Sequence, residues 1–363
     1  MIWQIKKLGD VSSFDKSPNN GESLPYIGME DIESNTGKFI GSIKPRKVKS
    51  VTFKFNKEYL LYGRLRPYLN KVLLPNFDGH CSTEIFPIKT DNALDKKYLF
   101  YWITSGEIVE KINDTCTGAR MPRANMKEMM NFEIPLPPLP EQNRIVKILD
   151  EVFEKTAKAK ENAEKNIKNS HELFESYLQS IFANPGDSWE ERELGEMIEI
   201  RNGKNQQAVL SEKGEYKILG SAGNVMGYAT DFICEAGTTI IGRKGNISKP
   251  IYIDERFWNV DTAFGFYPKN ENDIDKRFVY YLCLGIDFKS MNRGTTIPSL
   301  VKSELQTIEI IFPKSISEQK EIVKKLEDLS VETKKLEEIY SKKLADLDEL
   351  KKSVLKKAFG GEI

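Results

Sequence analysis

Cysteine and histidine are scarce in this chain of 363 residues, and their scarcity argues against two kinds of site. The four cysteines lie far apart and form no C-x-x-C pair, whereas zinc ribbons and disulfide frameworks need close or patterned spacing. We therefore expect reduced, structural thiols. Two histidines leave little material for histidine-based catalysis or metal binding. The six residues are Cys81, Cys116, Cys234, Cys283, His80 and His171, the last expected to be exposed.

Long apolar runs and a net charge are missing as well. No run approaches the roughly 18 apolar residues that span a bilayer, and the opening MIWQIKKLGD has no apolar signal region, so a cytoplasmic protein is predicted. Lys plus Arg equal Asp plus Glu at 54 each, which argues against indiscriminate coating of nucleic acid. A balanced total can hide local patches. Residues 1–140 hold 20 Lys/Arg against 16 Asp/Glu (+4), and residues 183–314 hold 16 against 19 (−3).

The signature loops of nucleotide-binding enzymes do not occur in the sequence. There is no G-x-x-x-x-G-K-[ST], since the glycine-rich GSAGNVMG of residues 220–227 lacks the lysine, and no G-x-G-x-x-G follows a predicted strand. The Asn/Asp-Pro-Pro-aromatic tetrapeptide of amino-methyltransferases is also missing. Carboxylates are abundant but form no paired catalytic motif. We therefore expect a non-catalytic chain with no cofactor or metal of its own.

An internal repeat is the main feature that the sequence does contain. When the chain is aligned with itself, the number of residues that separates matching positions varies within the predicted globular parts and is then constant. This indicates insertions in loops, followed by a helix without gaps. Each copy is thus predicted to be a globular unit followed by one long helix. The matches are Trp3 with Trp189 (offset 186), residues 62–71 with 241–250 (179), 117–122 with 293–298 (176), and Glu141-Gln142 with Glu318-Gln319 (177).

The globular parts predict an α+β fold with substantial antiparallel sheet. Short β-branched and aromatic runs, such as SVTFKF (50–55) and GTTIIG (237–242), alternate with Gly, Asn and Pro, and helices occur occasionally, for example at 96–114. Aromatic residues at helical spacing within 98–102 are predicted to be core rather than a base-stacking platform. The predicted organisation is a first domain at 1–140, a helix at 141–182, a second domain at 183–314, a helix at 315–359 and a tail at 360–363.

Apolar side chains keep a 4-3 rhythm through both predicted helices, the period of a coiled-coil seam. A long helix with so few apolar side chains would not stay folded alone, so we expect the two helices to pair with each other. The predicted seam residues are Ile145, Leu149, Val152, Thr156, Ala159, Ala163, Ser170, Leu173 and Tyr177 in the first helix, and Ile322, Leu326, Leu329, Thr333, Leu336, Tyr340, Leu347, Leu350 and Val354 in the second.

Start and stop signals flank both rods. Pro140 suits a first helical turn, Ser315 with Glu318 matches the S-x-x-E capping box, and Gly360 follows the last helix. Two copies that pair through the same surface normally do so about a pseudo-twofold axis, which makes the rods antiparallel and places the globular units at opposite ends. The C-terminus is then expected near the N-terminus.

Polar, basic, glycine-punctuated loops occur at matching places in the two copies. Arginine reads guanine edges with two hydrogen bonds, asparagine and glutamine read adenine, and lysine meets phosphates, so these loops have the residue types of direct DNA readout. For any single residue the alternative is an ordinary solvated turn. We name them the Arg64 loop (Arg64, Arg66, Tyr68, Asn70, Lys71), the Arg120 loop (Arg120, Arg123, Asn125), the Arg201 loop (Arg201, Asn202, Lys204, Asn205, Gln206, Gln207), the Arg243 loop (Arg243, Lys244, Asn246, Lys249) and the Arg293 loop (Asn292, Arg293, Thr295, Thr296).

Two globular units, each followed by a helix that starts at IPLPPLPEQNRIV (134–146) or IIFPKSISEQKEIV (310–323), and a final KAFGGEI strongly resemble the specificity subunit of type I restriction-modification systems. The resemblance covers essentially the whole chain, although Pro313-Lys314 replaces the proline cluster in the second copy. It implies two target recognition domains that read the halves of a bipartite, asymmetric site in double-stranded DNA. It also implies that the two antiparallel helices set the spacer between those halves.

The resemblance further implies partners and leaves the chain itself without catalysis. Two methyltransferase subunits would dock on the helices and bring S-adenosylmethionine, and ATP-driven restriction subunits can join the complex; no membrane is involved. Two rival functions fit the residues. A two-headed protein-interaction scaffold would keep its activity after charge reversal at Arg64, Arg66, Arg243 and Lys244. An enzyme with an unrecognised site would be exposed by alanine changes at carboxylates.

Overall fold

The first copy of the repeat begins with a strand that pairs with the strand leading into the long helix. The computed structural model describes residues 3–118 and 120–363. The strands of this copy are β1 (Gln4–Lys7), β2 (Ser12–Phe14), β3 (Tyr26–Ile27), β4 (Thr52–Phe55), β5 (Leu60–Gly63), β6 (Val72–Leu73), β7 (Gly79–Ser82), β8 (Ile85–Thr90) and β9 (Glu133–Leu136). The helices are α1 (Leu8–Val11), α2 (Lys96–Ile103), α3 (Gly106–Asp114), α4 (Met126–Met129) and the long α5 (Leu139–Ala183), with 3₁₀ turns at Met29–Asp31 and Pro67–Leu69.

The second copy has the same number of strands and most of the same helices, without a counterpart of α3 or of the 3₁₀ turns among its described residues. Its strands are β10 (Trp189–Glu193), β11 (Ile198–Asn202), β12 (Tyr216–Leu219), β13 (Val225–Ala229), β14 (Thr238–Gly242), β15 (Ile251–Ile253), β16 (Phe257–Asn259), β17 (Ala263–Pro268) and β18 (Glu309–Pro313). Its helices are α6 (Leu194–Met197), α7 (Lys276–Gly285), α8 (Lys302–Gln306) and the long α9 (Ile316–Phe359). The runs at 50–55 and 237–242 are strands as predicted.

The sheets of the two copies correspond closely, which confirms the α+β fold and the internal repeat. β1 pairs with β9 and β10 with β18, and the four-stranded sheets have the orders β2-β8-β5-β6 and β11-β17-β14-β15. Pairing is antiparallel except for β3 with β7 and β12 with β16, which are parallel. The smaller sheets differ, because the orders are β3-β7-β4 in one copy and β13-β12-β16 in the other. Divergence is therefore concentrated after β3 and β12.

A fully buried glutamine ties the start of each long helix to its globular domain. The side chains of Gln142 and Gln319 each accept one backbone N–H and donate to two carbonyls, and each is 0% exposed. This contact explains the repeated Glu-Gln pair, whose glutamine fixes the helix to the loop before α2 or α7. The partners are Asp95 N (2.8 Å), Ala93 O (2.7 Å) and Pro137 O (2.8 Å) for Gln142, and Asp275 N (2.7 Å), Asp273 O (3.0 Å) and Pro313 O (2.8 Å) for Gln319.

The chain divides into two compact units, each containing one globular domain and parts of both long helices. The first unit runs to Glu164 and includes Lys342–Ile363, and the second unit is Lys165–Ser341. Within each unit, contacts advance along α5 while they recede along α9, so the helix segments are antiparallel as predicted. In the first unit Phe153 contacts Lys351 (4.7 Å to the ring centroid) and Lys160 contacts Asp348. In the second unit His171 contacts Glu337 (3.0 Å), and Trp189, which follows α5, contacts Glu318 near the start of α9 (2.9 Å).

Residues near both ends of the chain meet in the first unit. Ile5 and Phe359 line one cavity, and Trp3 and Ile363 pack against the same hydrophobic core. The predicted proximity of the termini is confirmed for these residues. The last helix ends before Gly361, whose φ of 76° lies in the left-handed region that glycine adopts without strain.

Parts of the predicted seam are wrong. Leu173 is 52% exposed, and Leu336 and Leu350 are also exposed. Towards its C-terminal end α5 packs against the globular domain of the second unit through Phe174 and Leu178, so it buries a different face there. A strict seven-residue pattern on a straight helix also drifts by roughly 20° per heptad, which moves late positions out of the contact.

Other local predictions have mixed outcomes. The capping box at Ser315 is wrong, because the Glu318 carboxylate instead accepts hydrogen bonds from Trp189 Nε1 and Ser188 Oγ. The helix at 96–114 is interrupted at Thr104, between α2 and α3. His171 is exposed as predicted, and Tyr98, Tyr101 and Trp102 are core residues while Phe100 is half-buried. Among the described residues the cysteines are free thiols, and burial raises the pKa of Cys234 to about 12.

Candidate nucleic-acid interface

Backbone hydrogen bonds join the Arg64 loop to the Arg120 loop in the first unit. Arg66 N donates to Pro122 O (2.7 Å), Ala124 N donates to Arg64 O (2.9 Å), and Arg123 N donates to Thr117 O (3.1 Å). The first loop follows β5 and the second precedes α4, so residues almost 60 positions apart form one surface.

The Arg243 and Arg293 loops of the second unit are joined in the same way. Gly245 N donates to Pro298 O (2.8 Å), and Leu300 N donates to Arg243 O (2.9 Å). Arg293 N donates to Ser299 O (3.0 Å) and closes the Arg293 loop as the Thr117 pair closes the Arg120 loop. Each bond links positions that the sequence offsets of 179 and 176 make equivalent. The repeat is therefore a shared backbone frame, in which two loops of the same copy are joined by equivalent hydrogen bonds in each unit.

Glu84 organises the basic side chains of the first unit. Its carboxylate accepts from Arg64 Nε (2.9 Å) and Arg123 Nε (2.9 Å), and the Arg64 guanidinium lies over the Phe86 ring at 5.3 Å. Partial burial works to raise the pKa of Glu84, but the hydrogen bonds from the two arginines outweigh it and hold this pKa below its ordinary value. Arg64 and Arg123 are therefore held in fixed orientations at the surface.

Arg66 differs from its neighbours in both backbone and exposure. Its φ of 52° lies in the left-handed region, where residues with a Cβ are uncommon, and its side chain is exposed. The equivalent position in the second unit is Gly245, whose φ is 81°. The shared frame requires a left-handed residue here, and the first unit places an arginine at this position where glycine would be unstrained. Strained positions of this kind concentrate at functional sites.

A turn at residues 259–263 brings the Arg201 loop beside the Arg243 loop. Lys204 N donates to Asn259 O (2.9 Å) and Gly203 N to Ala263 O (3.0 Å), while Arg243 N donates to Thr262 O (2.8 Å). Arg201 is held by the Ile233 carbonyl and by Glu199 (2.8 Å). Arg293 likewise pairs with Glu304 (3.0 Å), whose hydrogen bond raises the pKa of the guanidinium. These two arginines have acidic partners, whereas Lys204 and Lys244 extend into solvent.

Several predicted site residues also hold the loops in shape. Asn125 caps α4, the Asn70 amide donates to Thr104 O (3.0 Å), and Lys71 Nζ donates to Met29 O (2.6 Å). DNA contact by these residues stays a prediction. The exposed members of the predicted set are Arg66, Tyr68, Arg120, Asn125, Asn202, Lys204, Asn205, Gln207, Lys244, Lys249, Asn292, Arg293, Thr295 and Thr296, and the half-buried members are Arg64, Asn70, Lys71, Arg123, Arg201, Gln206, Arg243 and Asn246.

Sequence reasoning missed a run of cations in the first unit. Residues 38–49, which we name the basic segment, contain Lys38, Lys44, Arg46, Lys47 and Lys49, all exposed. The signal was available, because KPRKVK at 44–49 has four cations in six residues, a pattern typical of nucleic-acid-binding patches. The run has no counterpart in the second copy, so a comparison of the two repeats does not reveal it.

Other kinds of site receive no support from the part of the chain that the structure describes. Within it no group of three or more His, Cys, Asp or Glu side chains could hold a metal ion. His80 is buried, with Nδ1 on the Thr52 hydroxyl (2.9 Å) and Nε2 near the Arg46 carbonyl (3.0 Å), so its role is structural. The described helices include none that is long and apolar enough to cross a membrane.

Two copies of one mixed α/β domain, each presenting joined basic loops and each followed by a helix of an antiparallel pair, define a tandem-domain protein of the DNA-specificity class. The chain belongs to the family described as type I restriction modification DNA specificity domain, whose model matches residues 2–169 and 186–343. The resemblance drawn from the helix-entry motifs is therefore confirmed. Membership in this family does not favour a scaffold that never contacts DNA.

Relatives and solved structures agree with this assignment. The chain is 29% identical over 227 residues to the type I restriction enzyme EcoDI specificity subunit of Escherichia coli, covering 61% of this chain and 49% of that one. It is 27% identical to the MjaVIII specificity subunit of Methanocaldococcus jannaschii over 99% of this chain and 93% of that one. The chain thus spans about half the length of the first relative and nearly all of the second.

Two solved structures share the fold at 20% identity. A chain from a study of complex assembly and conformational transition of the type I R-M system has a TM-score of 0.87, covering 99% of this chain and 98% of that one. The HsdS subunit from Thermoanaerobacter tengcongensis has a TM-score of 0.69, covering 100% of this chain and 97% of that one. The fold of this chain is therefore shared with solved structures over nearly their full length.

Proposed function

We propose that this chain reads DNA for a type I restriction-modification complex and carries no catalytic site. The Arg64 and Arg120 loops of the first unit would read one half of a bipartite site, and the Arg243, Arg293 and Arg201 loops of the second unit the other half. The observation that carries this proposal is the shared frame, in which equivalent hydrogen bonds present loops rich in Arg, Lys and Asn in both units.

The two half-sites should differ in sequence. At equivalent positions the frame presents different side chains, with Arg66 against Gly245 and Asn70 against Lys249. Base recognition depends on which donors and acceptors reach the groove, so unlike side chains on one frame favour unlike bases. An asymmetric target follows from this reasoning.

The long helices would set the gap between the half-sites. α5 has 45 residues and α9 has 44. Removing one heptad from each helix would shorten each rod by roughly 10 Å, about three base pairs of duplex. Such a deletion should change the unspecified gap, or abolish binding, and leave each half-sequence preference intact. A methylome with an unchanged gap would contradict this role of the helices.

The helices would also receive the partner subunits. Leu336 and Ile339 of α9 and Leu173 of α5 are exposed apolar side chains within the second unit, and apolar side chains on a charged helix are suited to burial against another protein. We propose two methyltransferase subunits as the partners, bringing S-adenosylmethionine, with ATP-driven restriction subunits able to join. This chain would hold no cofactor and would act in the cytoplasm.

Charge reversal at one exposed loop position of each unit tests DNA reading. Arg66→Glu and Lys244→Glu lie at neighbouring positions of the shared frame, and both side chains are exposed. In the complete complex, methylome mapping should show that Arg66→Glu weakens or relaxes recognition of one half-site and Lys244→Glu the other. The control Lys111→Glu changes an exposed lysine of α3 and should leave both halves intact. Unchanged methylation in both loop variants would favour the scaffold function.

A further inference from the structure

We propose that the basic segment, residues 38–49 of the first unit, is an arm that binds the phosphate backbone of duplex DNA beside the Arg64 loop. The proposal deepens the proposed function and rests on it. Base contacts specify a sequence, but phosphate contacts supply most of the electrostatic affinity and fix the register of the protein on the duplex. The loops that read bases would therefore be supplemented by a separate clamp in one unit only.

The charge of the segment is concentrated and uncompensated. Residues 36–51 contain five cations and no acidic residue. Nearby ion pairs use other cations, such as Lys54 with Glu22 and Arg64 with Glu84. Across residues 3–118 and 120–363, none of the five cations of the basic segment takes part in an ion pair. A set of free, exposed lysines within one loop is suited to a polyanion.

The structure places the segment next to the predicted reading surface. Asn35 N donates to Leu69 O (3.2 Å), which puts the start of the segment against the 3₁₀ turn of the Arg64 loop. Further along, Arg46 N donates to Leu24 O (3.1 Å) and its carbonyl lies 3.0 Å from His80 Nε2. The backbone is thus anchored just before the segment and again at Arg46 within it, while the four lysine side chains are exposed.

The second unit lacks this feature. Where the first unit has residues 28–51 between β3 and β4, the second has the shorter turn and strand of residues 220–230, which contain no charged residue. The segment also accounts for the charge difference between the halves. Without its five cations, residues 1–140 would hold 15 Lys/Arg against 16 Asp/Glu, a net charge of −1 that is close to the −3 of residues 183–314.

Duplex DNA fits the segment better than a lipid surface does. Ile40, Ile43 and Val51 are exposed among the cations, a composition that membrane-surface segments also have. Amphipathic helices that lie on membranes gather their apolar side chains on one face, whereas residues 38–49 form no helix. Their position beside loops rich in Arg and Asn instead matches the arrangement of phosphate contacts around base contacts.

Salt dependence of DNA binding tests the proposal in the full-length chain. Each phosphate contact contributes about 0.9 to the slope of log affinity against log salt concentration, so a fourfold Lys→Gln variant at positions 38, 44, 47 and 49 should reduce the slope by about 3 to 4. Between about 50 and 200 mM salt, the wild type should lose roughly 100-fold more affinity for a mixed-sequence duplex than this variant. A fourfold Lys→Arg variant keeps the charge and should bind like the wild type.

The matched control is a fourfold Lys→Gln variant that removes the same charge from helix positions with ion-pair partners. These positions are Lys111, Lys155, Lys168 and Lys335. Equal slopes in the control and the basic-segment variant would overturn the proposal while leaving DNA reading intact. A wild type that binds no duplex would overturn both. Loss of binding to phosphatidylserine vesicles with unchanged duplex binding would assign the segment to a lipid surface instead. If the fourfold variant does not fold, Lys47→Gln alone should lower the slope by about 0.9, and an unchanged slope overturns the proposal.

Discussion

Replacing the buried glutamine at the start of each long helix should destabilise the protein in one unit at a time. Gln142→Leu keeps the approximate volume but removes three hydrogen bonds, and Gln319→Leu does the same in the second unit. A buried polar group left unpaired costs about 1–3 kcal/mol. The Pro137 carbonyl is in buried surroundings, whereas the Asp95 N–H and Ala93 carbonyl are partly accessible to water, so we expect a total of about 3 kcal/mol per variant.

Against a typical stability of about 5–15 kcal/mol, such a loss is large enough to measure by urea unfolding. Hydrogen exchange should locate it, since protection should fall at 93–95 in Gln142→Leu and at 273–275 in Gln319→Leu. The neighbouring Glu141→Gln is the control. Glu141 forms a surface pair with Arg144, and pairs of that kind contribute about 0–1 kcal/mol. A cost below about 1 kcal/mol for both leucine variants would refute this account of the helix entry.

The Gln142→Glu variant tests the direction in which stability changes with pH. The introduced carboxyl would face two carbonyl oxygens, so its charged form is disfavoured and its pKa in the folded protein should rise above the unfolded value. Stability of this variant should then be greatest in acid, where the protonated group can donate, and should be lost as pH rises through the folded pKa. A variant equally stable at about pH 5 and about pH 8 would contradict the predicted hydrogen-bond pattern.

Two further predictions concern the loops of the first unit. Arg66→Gly relieves about 1 kcal/mol of backbone strain in the folded state, and the added entropy of glycine in the unfolded state offsets a similar amount. Thermal stability should therefore hardly change, while affinity for duplex DNA falls. Full DNA binding by this variant would contradict a reading role for Arg66. Glu84 has a lowered folded pKa because the hydrogen bonds from Arg64 and Arg123 outweigh desolvation, so its stabilising contribution is present above the unfolded pKa and is lost as pH falls through the folded pKa. Urea midpoints should therefore drop more steeply in acid for the wild type than for Glu84→Gln, and parallel curves would contradict this linkage.

The repeat offsets predicted which loops are equivalent in the two copies, because copies of one fold place equivalent segments at equivalent positions. The matches of 62–71 with 241–250 and of 117–122 with 293–298 each describe one half of a contact. The structure supplies the contact itself, through Arg66 with Pro122 and Gly245 with Pro298. Hydrophobic periodicity likewise predicted both long helices, because their apolar pattern is local.

The features that the sequence did not predict depend on contacts between residues that are far apart in the chain. A glutamine beside a glutamate suggests a solvated first turn, and only the fold shows that Gln142 reaches the loop before α2. Leu173 is exposed because, near its C-terminal end, α5 packs against the globular domain through Phe174 and Leu178. A seven-residue pattern in the sequence does not show this change of contact. Acidic partners such as Glu84, 20 and 39 positions from the arginines it binds, are equally invisible to local patterns.

Comparison of the two units distinguishes the backbone frame, which they share, from the exposed side chains, which differ. The hydrogen bonds between the loops are made by backbone atoms, so exposed side chains such as Tyr68, Lys244 and Lys249 can change without loss of those bonds. Arg66 and Gly245 share a left-handed backbone at equivalent positions, and there the units differ clearly in chemistry; Asn70 of the first unit is left-handed as well. Under the proposed function, a frame built in this way would let each half-site change independently, because substitutions at exposed loop positions of one unit need not disturb the packing of either.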